Sequence, residues 1–243
     1  MAASTKARSP AARPVQDTAV SRSAAVYRAL KRAIIEQALQ PGAKLPEDSI
    51  GERLGVSRTL VREALLRLSG EGLVELRPNR GACVAQPSLE DGRDIFAVRS
   101  ALEKLVMEAL AGRLTAEQRH TIEAHVAAEE KASGRDAAMS IRLAGEFHTM
   151  LAEMTGNVLL ARYVNEVVSR CSLILALYGR PHSSECGVSE HRAVLAALLA
   201  GDAAKAATLM AGHLHAITDR ALLARNDADP RDILANYARE EGL

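Results

Sequence analysis

Two arginines set four residues apart raise the question of what this chain binds. Residues 55–68 read GVSRTLVREALLRL. A helix turns about 100° per residue, which puts four apolar residues of this stretch on one side: Val61, Ala64, Leu65 and Leu68. Arg58, Thr59 and Arg62 fall on another side. The apolar side suits a protein core, so we expect the side with the arginines to meet a partner outside the domain.

Two histidines near the end of the chain are spaced to meet across a helical hairpin. His191 lies ten residues before Gly201, and His213 lies twelve residues after it. If Gly201 and Asp202 form a tight turn between antiparallel helices, a rise of 1.5 Å per residue puts both imidazoles at nearly equal height. They can then share a ligand. A third histidine, His148, follows Phe147 in another helical stretch.

Two further arginines lie among apolar neighbours and could bind an acidic ligand. An arginine that faces a bundle interior is costly to bury unless it holds a carboxylate. For Arg99, that carboxylate is either Glu103, one helical turn away, or the acid group of a bound small molecule. Arg170, within SRCSLI, is a second, weaker candidate for holding such an acid group.

The elements around the first pair of arginines form a helix-turn-helix pattern. Apolar residues at helical spacing predict a first helix from Ser23 to the breaker at 41–42, and a short second helix covers 47–54 and stops at Gly55. Ser57 is placed to cap the third helix, which carries Arg58 and Arg62. Two short helices around a glycine turn are typical of DNA-binding domains.

A β-hairpin is expected directly after the third helix. The sequence GLVELRPNRGACVA alternates in polarity, turns at Pro78-Asn79-Arg80-Gly81 and resumes at Cys83. Its tip brings a cation and an exposed backbone together at Asn79, Arg80 and Gly81. Such a wing suits contact with a phosphate or a minor groove.

The remainder of the chain predicts an all-helical antiparallel bundle. Ser88 and Asp91 signal a helix start, and glycines punctuate the later helices. The expected helices cover 88–110, 116–132, 137–154, 159–177, 188–200 and 202–225. One more short helix is expected within 226–243.

Length and charge divide the chain into two domains between flanking segments. The part up to Gln86 holds 14 Lys and Arg against 8 Asp and Glu, a net charge of +6, and the remainder holds 17 against 22, a net charge of −5. A basic module that meets a polyanion is thus expected beside a module with another task. The predicted division is a disordered basic tail (1–22), a winged helix-turn-helix (23–86), an all-helical domain (87–225) and a C-terminal tail (226–243).

Cysteine usage and the first residues bear on the cellular compartment. The three cysteines are odd in number and show no CxxC spacing, so neither a disulfide framework nor a cysteine zinc site is indicated. The chain lacks a long uncharged apolar stretch, and its first residues lack the apolar segment of a secretory signal. A cytoplasmic protein is expected.

These segments resemble the GntR family of bacterial transcription regulators, in the FadR-type branch whose effector domain is the all-helical FCD domain. The resemblance lies in LQPGAKLPEDSIGERLGVSRTLVREALLRLSGEGLVELRPNRGACVA, VRSALE, FHTMLAEMTGN and SEHRAVLAALLAGDAAKAATLMAGHL. It implies a dimer that binds palindromic operators, and a helical bundle that binds a small effector, often a carboxylate and frequently beside a metal.

The resemblance and the chemistry of arginine together assign the candidate DNA contacts. Bidentate arginine to guanine is the commonest specific contact in a major groove. The predicted DNA-binding residues are Ser57, Arg58, Thr59, Arg62, Asn79, Arg80 and Gly81.

The resemblance also implies that His148, His191 and His213 are metal ligands, with zinc or nickel as the expected ions. The family's aspartate, four residues before the first histidine, is replaced by Ala144, which predicts less charge compensation and a lower affinity. Glu146 points to a different face and is a poor substitute. A metal-free polar pocket, or histidines that are merely packed, are the alternatives. The predicted effector-binding residues are Arg99, Arg170 and the three histidines.

Three classes of function are compatible with this pattern, and a metabolite-responsive regulator fits best. Repression relieved by a small carboxylate is expected. An effector-blind architectural protein would leave Arg99 and the histidines unexplained. A helical metal enzyme is disfavoured because no HExxH, nucleophile elbow or phosphate-cradling glycine loop occurs.

Overall fold

The computed structural model describes residues 15–179 and 184–221, which divide into two compact units at Gln86 and Pro87. The first unit contains three helices and a hairpin, namely α1 (Val15–Ile35), α2 (Glu47–Leu54), α3 (Arg58–Gly70), β1 (Val74–Arg77) and β2 (Gly81–Val84). The order helix, helix-turn-helix, antiparallel hairpin confirms the predicted winged helix-turn-helix fold.

The core of the first unit comes from the apolar sides of α1 and α3. Val26, Leu30 and Ile34 of α1 are buried at helical spacing. Four residues of α3 are buried against them, as the periodicity predicts: Val61, Ala64, Leu65 and Leu68. The opposite side of α3 therefore remains at the surface.

The turn between α2 and α3 depends on two glycines. Gly55 ends α2 in the left-handed region, with φ 63°. A Cβ on Gly51 would lie 2.9 Å from the carbonyl oxygen of Val56, so only glycine lets the turn approach the helix this closely. Ser57 then starts α3, because its hydroxyl accepts a hydrogen bond from the backbone N–H of Leu60.

The start of α1 differs from the predicted boundary. The helix begins at Val15, so residues 15–22 are helical, whereas a disordered tail was predicted for 1–22. Because no glycine or proline lies between Pro14 and the end of α1, a helix nucleated by the buried stretch can extend backwards at little cost, without an apolar face of its own. Residues 1–14 of the predicted tail lie outside the described residues.

The second unit is a bundle of helices joined by short turns. The described part contains α4 (Leu89–Leu110), α5 (Ala116–Ala132), α6 (Ala137–Met154), α7 (Val158–Tyr178), α8 (Ser184–Leu199) and α9 (Ala203–Arg220). Helix α4 packs against α6, α7 and α9, and α8 packs against α5, α6 and α9. The predicted all-helical class is confirmed.

Capping side chains set most of the helix starts in this unit. Ser88 and Asp91 form a reciprocal capping box on α4, and Thr115 and Gln118 form another on α5. Helix α8 begins at Ser184, four residues before the predicted start at 188, because Gly187 is accommodated inside the helix. The short helix predicted within 226–243 lies outside the described residues. No described helix is long and apolar enough to cross a bilayer.

Candidate nucleic-acid interface and metal centre

The N-terminal half of α3 presents polar side chains at the surface of the first unit. Ser57, Arg58, Thr59 and Arg62 are all exposed. Arg58, Thr59 and Arg62 lie on a different side of α3 from its buried apolar residues. This is the geometry that a recognition helix needs, with its first turns open to a groove.

One carboxylate of α2 holds both arginines of this surface. The Nε of Arg58 donates to Glu47 at 2.7 Å, and the Nε and Nη2 of Arg62 donate to the two oxygens of Glu47 at 3.0 and 2.9 Å. Hydrogen bonds from Arg62 and Arg58 lower the pKa of Glu47 below its ordinary value. Sequence reasoning missed Glu47, although its place in the first turn of the preceding helix was a usable signal.

The hairpin carries its predicted tip at the surface. Asn79 and Gly81 have φ values of 58° and 77°, and they flank the exposed Arg80. The turn is closed by a hydrogen bond from the N–H of Arg80 to the carbonyl of Arg77. A cation is thus presented beside open backbone, which suits a phosphate contact.

The second unit brings three buried histidines from three helices to one point. His148 lies on α6, His191 on α8 and His213 on α9. The Nε2 of His213 is 3.2 Å from the Nε2 of His191 and 3.3 Å from the Nε2 of His148. The Phe147 ring stacks on His191 with centroids 4.0 Å apart, which helps to fix that imidazole.

Each of the three histidines has a carboxylate on its other ring nitrogen. The Nδ1 of His148 is 2.6 Å from Glu103 of α4. The Nδ1 of His191 is 2.9 Å from Glu129 of α5, and the Nδ1 of His213 is 2.6 Å from Glu190 of α8. Glutamates that accept from Nδ1–H favour the tautomer whose Nε2 carries a lone pair. Three lone pairs therefore face one another at the centre of the cluster.

The protonation of the cluster agrees with this arrangement. Burial lowers the pKa of His148 to about 3 and also lowers the pKa of His213, so both rings are neutral at neutral pH. Burial by itself raises the pKa of Glu103, but His148 and Arg99 outweigh it and hold that pKa below its ordinary value. Neutral imidazoles backed by carboxylates are the usual form of histidine metal ligands.

The cluster fits a small divalent ion. Zinc–nitrogen bonds of about 2.0–2.1 Å in a tetrahedral arrangement put neighbouring nitrogens about 3.3 Å apart, close to the spacing of the Nε2 atoms. Within the described part of the chain, His148, His191 and His213 are the group whose geometry could hold an ion. Three protein ligands leave coordination positions open for an external ligand.

The neighbouring residues of α6 add no fourth ligand. Ala144, one turn before His148 on the same helix face, is exposed and carries no donor atom. Glu146 pairs with Arg142 at 2.7 Å, in agreement with its predicted exclusion from the site.

The two candidate effector arginines are both in ion pairs on their own helices. Arg99 is buried, and its Nε donates to Glu103 at 2.6 Å, so the intramolecular partner one turn away is present. Glu103 also contacts His148, so Glu103 links Arg99 to the histidine cluster. Arg170 is half-buried and pairs with Glu166 at 2.7 Å. A role of Arg99 and Arg170 in effector binding stays a prediction.

Two of the three supporting glutamates were missed by sequence reasoning. Glu190 precedes His191, but it contacts His213 of the neighbouring helix. Glu129 lies 62 residues from His191, and no local sequence pattern indicates their contact. Only Glu103 had been noted, as the partner of Arg99.

A winged helix-turn-helix joined to a helical domain with a buried histidine centre defines a class of DNA-binding regulators. Residues 22–84 match the model of the bacterial regulatory proteins of the gntR family, and residues 94–216 match the FCD domain. The chain therefore belongs to the GntR family, in the branch with an FCD domain. It is a transcription regulator and not an enzyme.

Relatives and solved structures agree with this membership. The "Probable D-xylose utilization operon transcriptional repressor" of Paenarthrobacter nicotinovorans is 31% identical over 188 residues, which cover 75% of this chain and 81% of that protein. The uncharacterized HTH-type transcriptional regulator YdhC of Bacillus subtilis is 28% identical over 69% of this chain and 76% of its own length. The solved structure of E. coli McbR/YncC shares the fold, with a TM-score of 0.74 at 23% identity over 83% of this chain and 96% of that chain.

Proposed function

We propose that this regulator is a homodimeric repressor that leaves a palindromic operator when a small carboxylate binds its helical domain at a metal centre. The observation that carries the proposal is the convergence of three Nε2 atoms, each on an imidazole whose Nδ1 is bonded to a glutamate. Such a centre has open positions for an oxygen ligand, so it can sense an acid.

The first unit supplies the proposed DNA contacts. Arg58, Thr59 and Arg62 on α3 would enter a major groove, and Arg80 at the hairpin tip would meet the backbone or the minor groove. Ser57 caps α3 and can also offer its hydroxyl to a phosphate. Asn79 and Gly81 shape the tip. Two copies of α3 in a dimer would read two half-sites one helical turn apart.

The second unit supplies the proposed sensor. His148, His191 and His213 would hold zinc or nickel, since imidazole suits both ions. A bound divalent ion supplies a positive charge that attracts a carboxylate to its open positions. Glu103, Glu129 and Glu190 fix the ring orientations, and Arg99 orients Glu103.

The proposed response is a shift between two arrangements of the dimer. An effector changes DNA affinity only to the extent that it binds one arrangement better than the other. Effector binding at the cluster would favour the arrangement in which the two recognition helices no longer match the operator spacing. An ion whose coordination positions were all filled by protein side chains could not bind the effector. A site with three protein ligands therefore suits this role.

The experiment starts with metal analysis of the purified protein. Wild-type protein is expected to bind one zinc or nickel ion per chain in calorimetry, and His191→Ala is expected to lose this binding. His215→Ala removes an exposed histidine of α9 and serves as the matched control. Failure of the wild type to bind either ion would remove the metal centre from the proposal.

The second arm measures DNA release. An operator is selected from a random-sequence duplex library, and its release is followed while mono-, di- and hydroxycarboxylates are added, with neutral sugars as the comparison set. A carboxylate is expected to release wild-type protein but not His191→Ala, which should still bind the operator. Release by a neutral sugar that is unchanged in His191→Ala would contradict the proposed sensor. Light scattering of the free protein tests the dimer.

A further inference from the structure

Glu47 occupies an unusual place for an acidic residue in a surface that meets DNA. It is the first residue of α2, and its side chain is only 17% exposed, while those of Arg58 and Arg62 are 58% and 57% exposed. Its carboxylate therefore lies beneath the two arginines. A negative charge at this position opposes phosphate binding, so a compensating role is expected.

The hydrogen bonds of Glu47 fix the edge by which each guanidinium is held. A guanidinium is a planar fork with five N–H donors. Glu47 accepts from the Nε–Nη2 edge of Arg62 and from the Nε of Arg58, so the other edges of both forks point away from it. Arg58 also has Nη1 3.4 Å from Asp48. The arginines are thus oriented before any DNA arrives.

The pairing is favourable for electrostatic and for local structural reasons. Hydrogen bonds from Arg62 and Arg58 lower the pKa of Glu47, and the bond to Glu47 raises the pKa of Arg62. A carboxylate is also favoured in the first turn of a helix. The close turn at Gly51 brings the start of α3 against α2 and so keeps the arginines within reach of Glu47.

We propose that Glu47 is a specificity-determining residue of this regulator, which holds Arg58 and Arg62 in position for base edges and weakens their attraction to phosphates of arbitrary sequence. The inference rests on the proposed role of these two arginines in reading DNA. An arginine with a fixed fork makes a bidentate contact to a base at a smaller entropic cost. A fork released from Glu47 can swing to the nearest phosphate, which carries no sequence information.

The test compares Glu47→Gln with Glu52→Gln. Both changes remove one negative charge from α2, but Glu52 is an exposed residue near the other end of the helix. The probes are the duplex that wild-type protein selects from a random-sequence library and a scrambled duplex of the same composition. Binding to each is measured by fluorescence anisotropy at several salt concentrations.

Glu47→Gln is expected to bind the scrambled duplex about threefold more tightly at low salt and the selected duplex about tenfold more weakly. For the scrambled duplex, the logarithm of the binding constant should fall more steeply with the logarithm of the salt concentration, by the amount expected for about one additional phosphate contact. Glu52→Gln should keep the wild-type ratio of the two affinities. A ratio unchanged in Glu47→Gln, or equal losses on both duplexes, would overturn the inference, because a structural defect weakens both complexes together.

Two further variants separate this inference from the role of the arginines. Glu47→Asp keeps the charge but shortens the reach, so it should lose sequence preference without gaining affinity for the scrambled duplex. If Glu47→Gln does not fold, Glu47→Asp alone still tests whether Glu47 sets the sequence preference. If Arg62→Ala keeps the wild-type ratio, the DNA-reading role itself is wrong. If Arg62→Ala lowers the ratio of the affinities for the selected and the scrambled duplex, and both Glu47 variants keep the wild-type ratio, only the inference about Glu47 is wrong.

Discussion

Replacing Glu103 by glutamine removes the charge on which two buried side chains depend. Glu103 is 1% exposed, with Arg99 Nε at 2.6 Å from one oxygen and His148 Nδ1 at 2.6 Å from the other. Glutamine keeps the shape but replaces one acceptor with an NH₂ donor. The guanidinium of Arg99 then stays charged and buried without a carboxylate, because arginine does not deprotonate in proteins.

The expected loss of stability is large. Removal of one partner from a buried ion pair costs about 3–5 kcal/mol. Because the amide oxygen of glutamine can still accept one hydrogen bond, we expect the lower end, about 3 kcal/mol. Total stabilities are about 5–15 kcal/mol, so the change is readily measured. Metal affinity should also fall about 10–100-fold, the usual effect of losing a carboxylate behind a histidine ligand.

Urea unfolding of the full chain, followed by circular dichroism, measures the decrease in the free energy of unfolding. Hydrogen-exchange mass spectrometry then locates it, with faster exchange expected in α4 and α6. Glu108→Gln is the matched control, because Glu108 lies on the same helix with a half-exposed side chain 3.9 Å from Lys104. That exposed pair should contribute less than about 1 kcal/mol.

A double variant tests the cause of the loss. Arg99→Met combined with Glu103→Gln removes the uncompensated charge and should recover more than half of the lost stability, since a buried pair replaced as a whole is often tolerated. A cost below about 1 kcal/mol for Glu103→Gln, or no recovery in the double variant, would refute the reasoning that the carboxylate compensates a buried charge.

Three other predictions follow from the described contacts. Arg62→Ala should weaken operator binding by about 1–3 kcal/mol if it makes a bidentate base contact; equal affinities of the wild type for operator and scrambled DNA in a gel-shift titration would contradict this. Ser57→Ala should cost about 1 kcal/mol in urea unfolding through loss of the α3 cap, and Ser57→Thr, which keeps the hydroxyl, should cost less. Ala144→Asp should tighten zinc binding about tenfold in calorimetry by adding an anionic ligand one turn from His148; unchanged affinity would mean that this helix face does not reach the ion.

The helices and the hairpin could be predicted because their signals are local. Gly55 and Ser57 mark the end of one helix and the start of the next within three residues, and both act as predicted. The start of α1 at Val15 could not be predicted from periodicity, because residues 15–22 carry no apolar stripe. Apolar periodicity indicates only the part of a helix that packs against the core. It does not show how far the helix continues beyond that part.

The candidate metal centre was predictable where one turn sets the geometry. Ten and twelve residues on either side of Gly201 put His191 and His213 level with each other, and their Nε2 atoms lie 3.2 Å apart. Glu129, by contrast, is brought to His191 from a helix 62 residues away. Its role depends on how α5 packs against α8, which spacing along the chain does not encode.

The supporting glutamates also change the expectation drawn from Ala144. Loss of the aspartate predicts a site with less negative charge around the ion. The structure instead surrounds the three neutral imidazoles with Glu103, Glu129 and Glu190, one behind each ring. Arg99 neutralises one of these three carboxylates, which leaves negative charge on the others to offset a divalent ion. Charge compensation for an ion held by the three imidazoles would therefore come from the glutamates behind the rings, in place of the aspartate that Ala144 replaces.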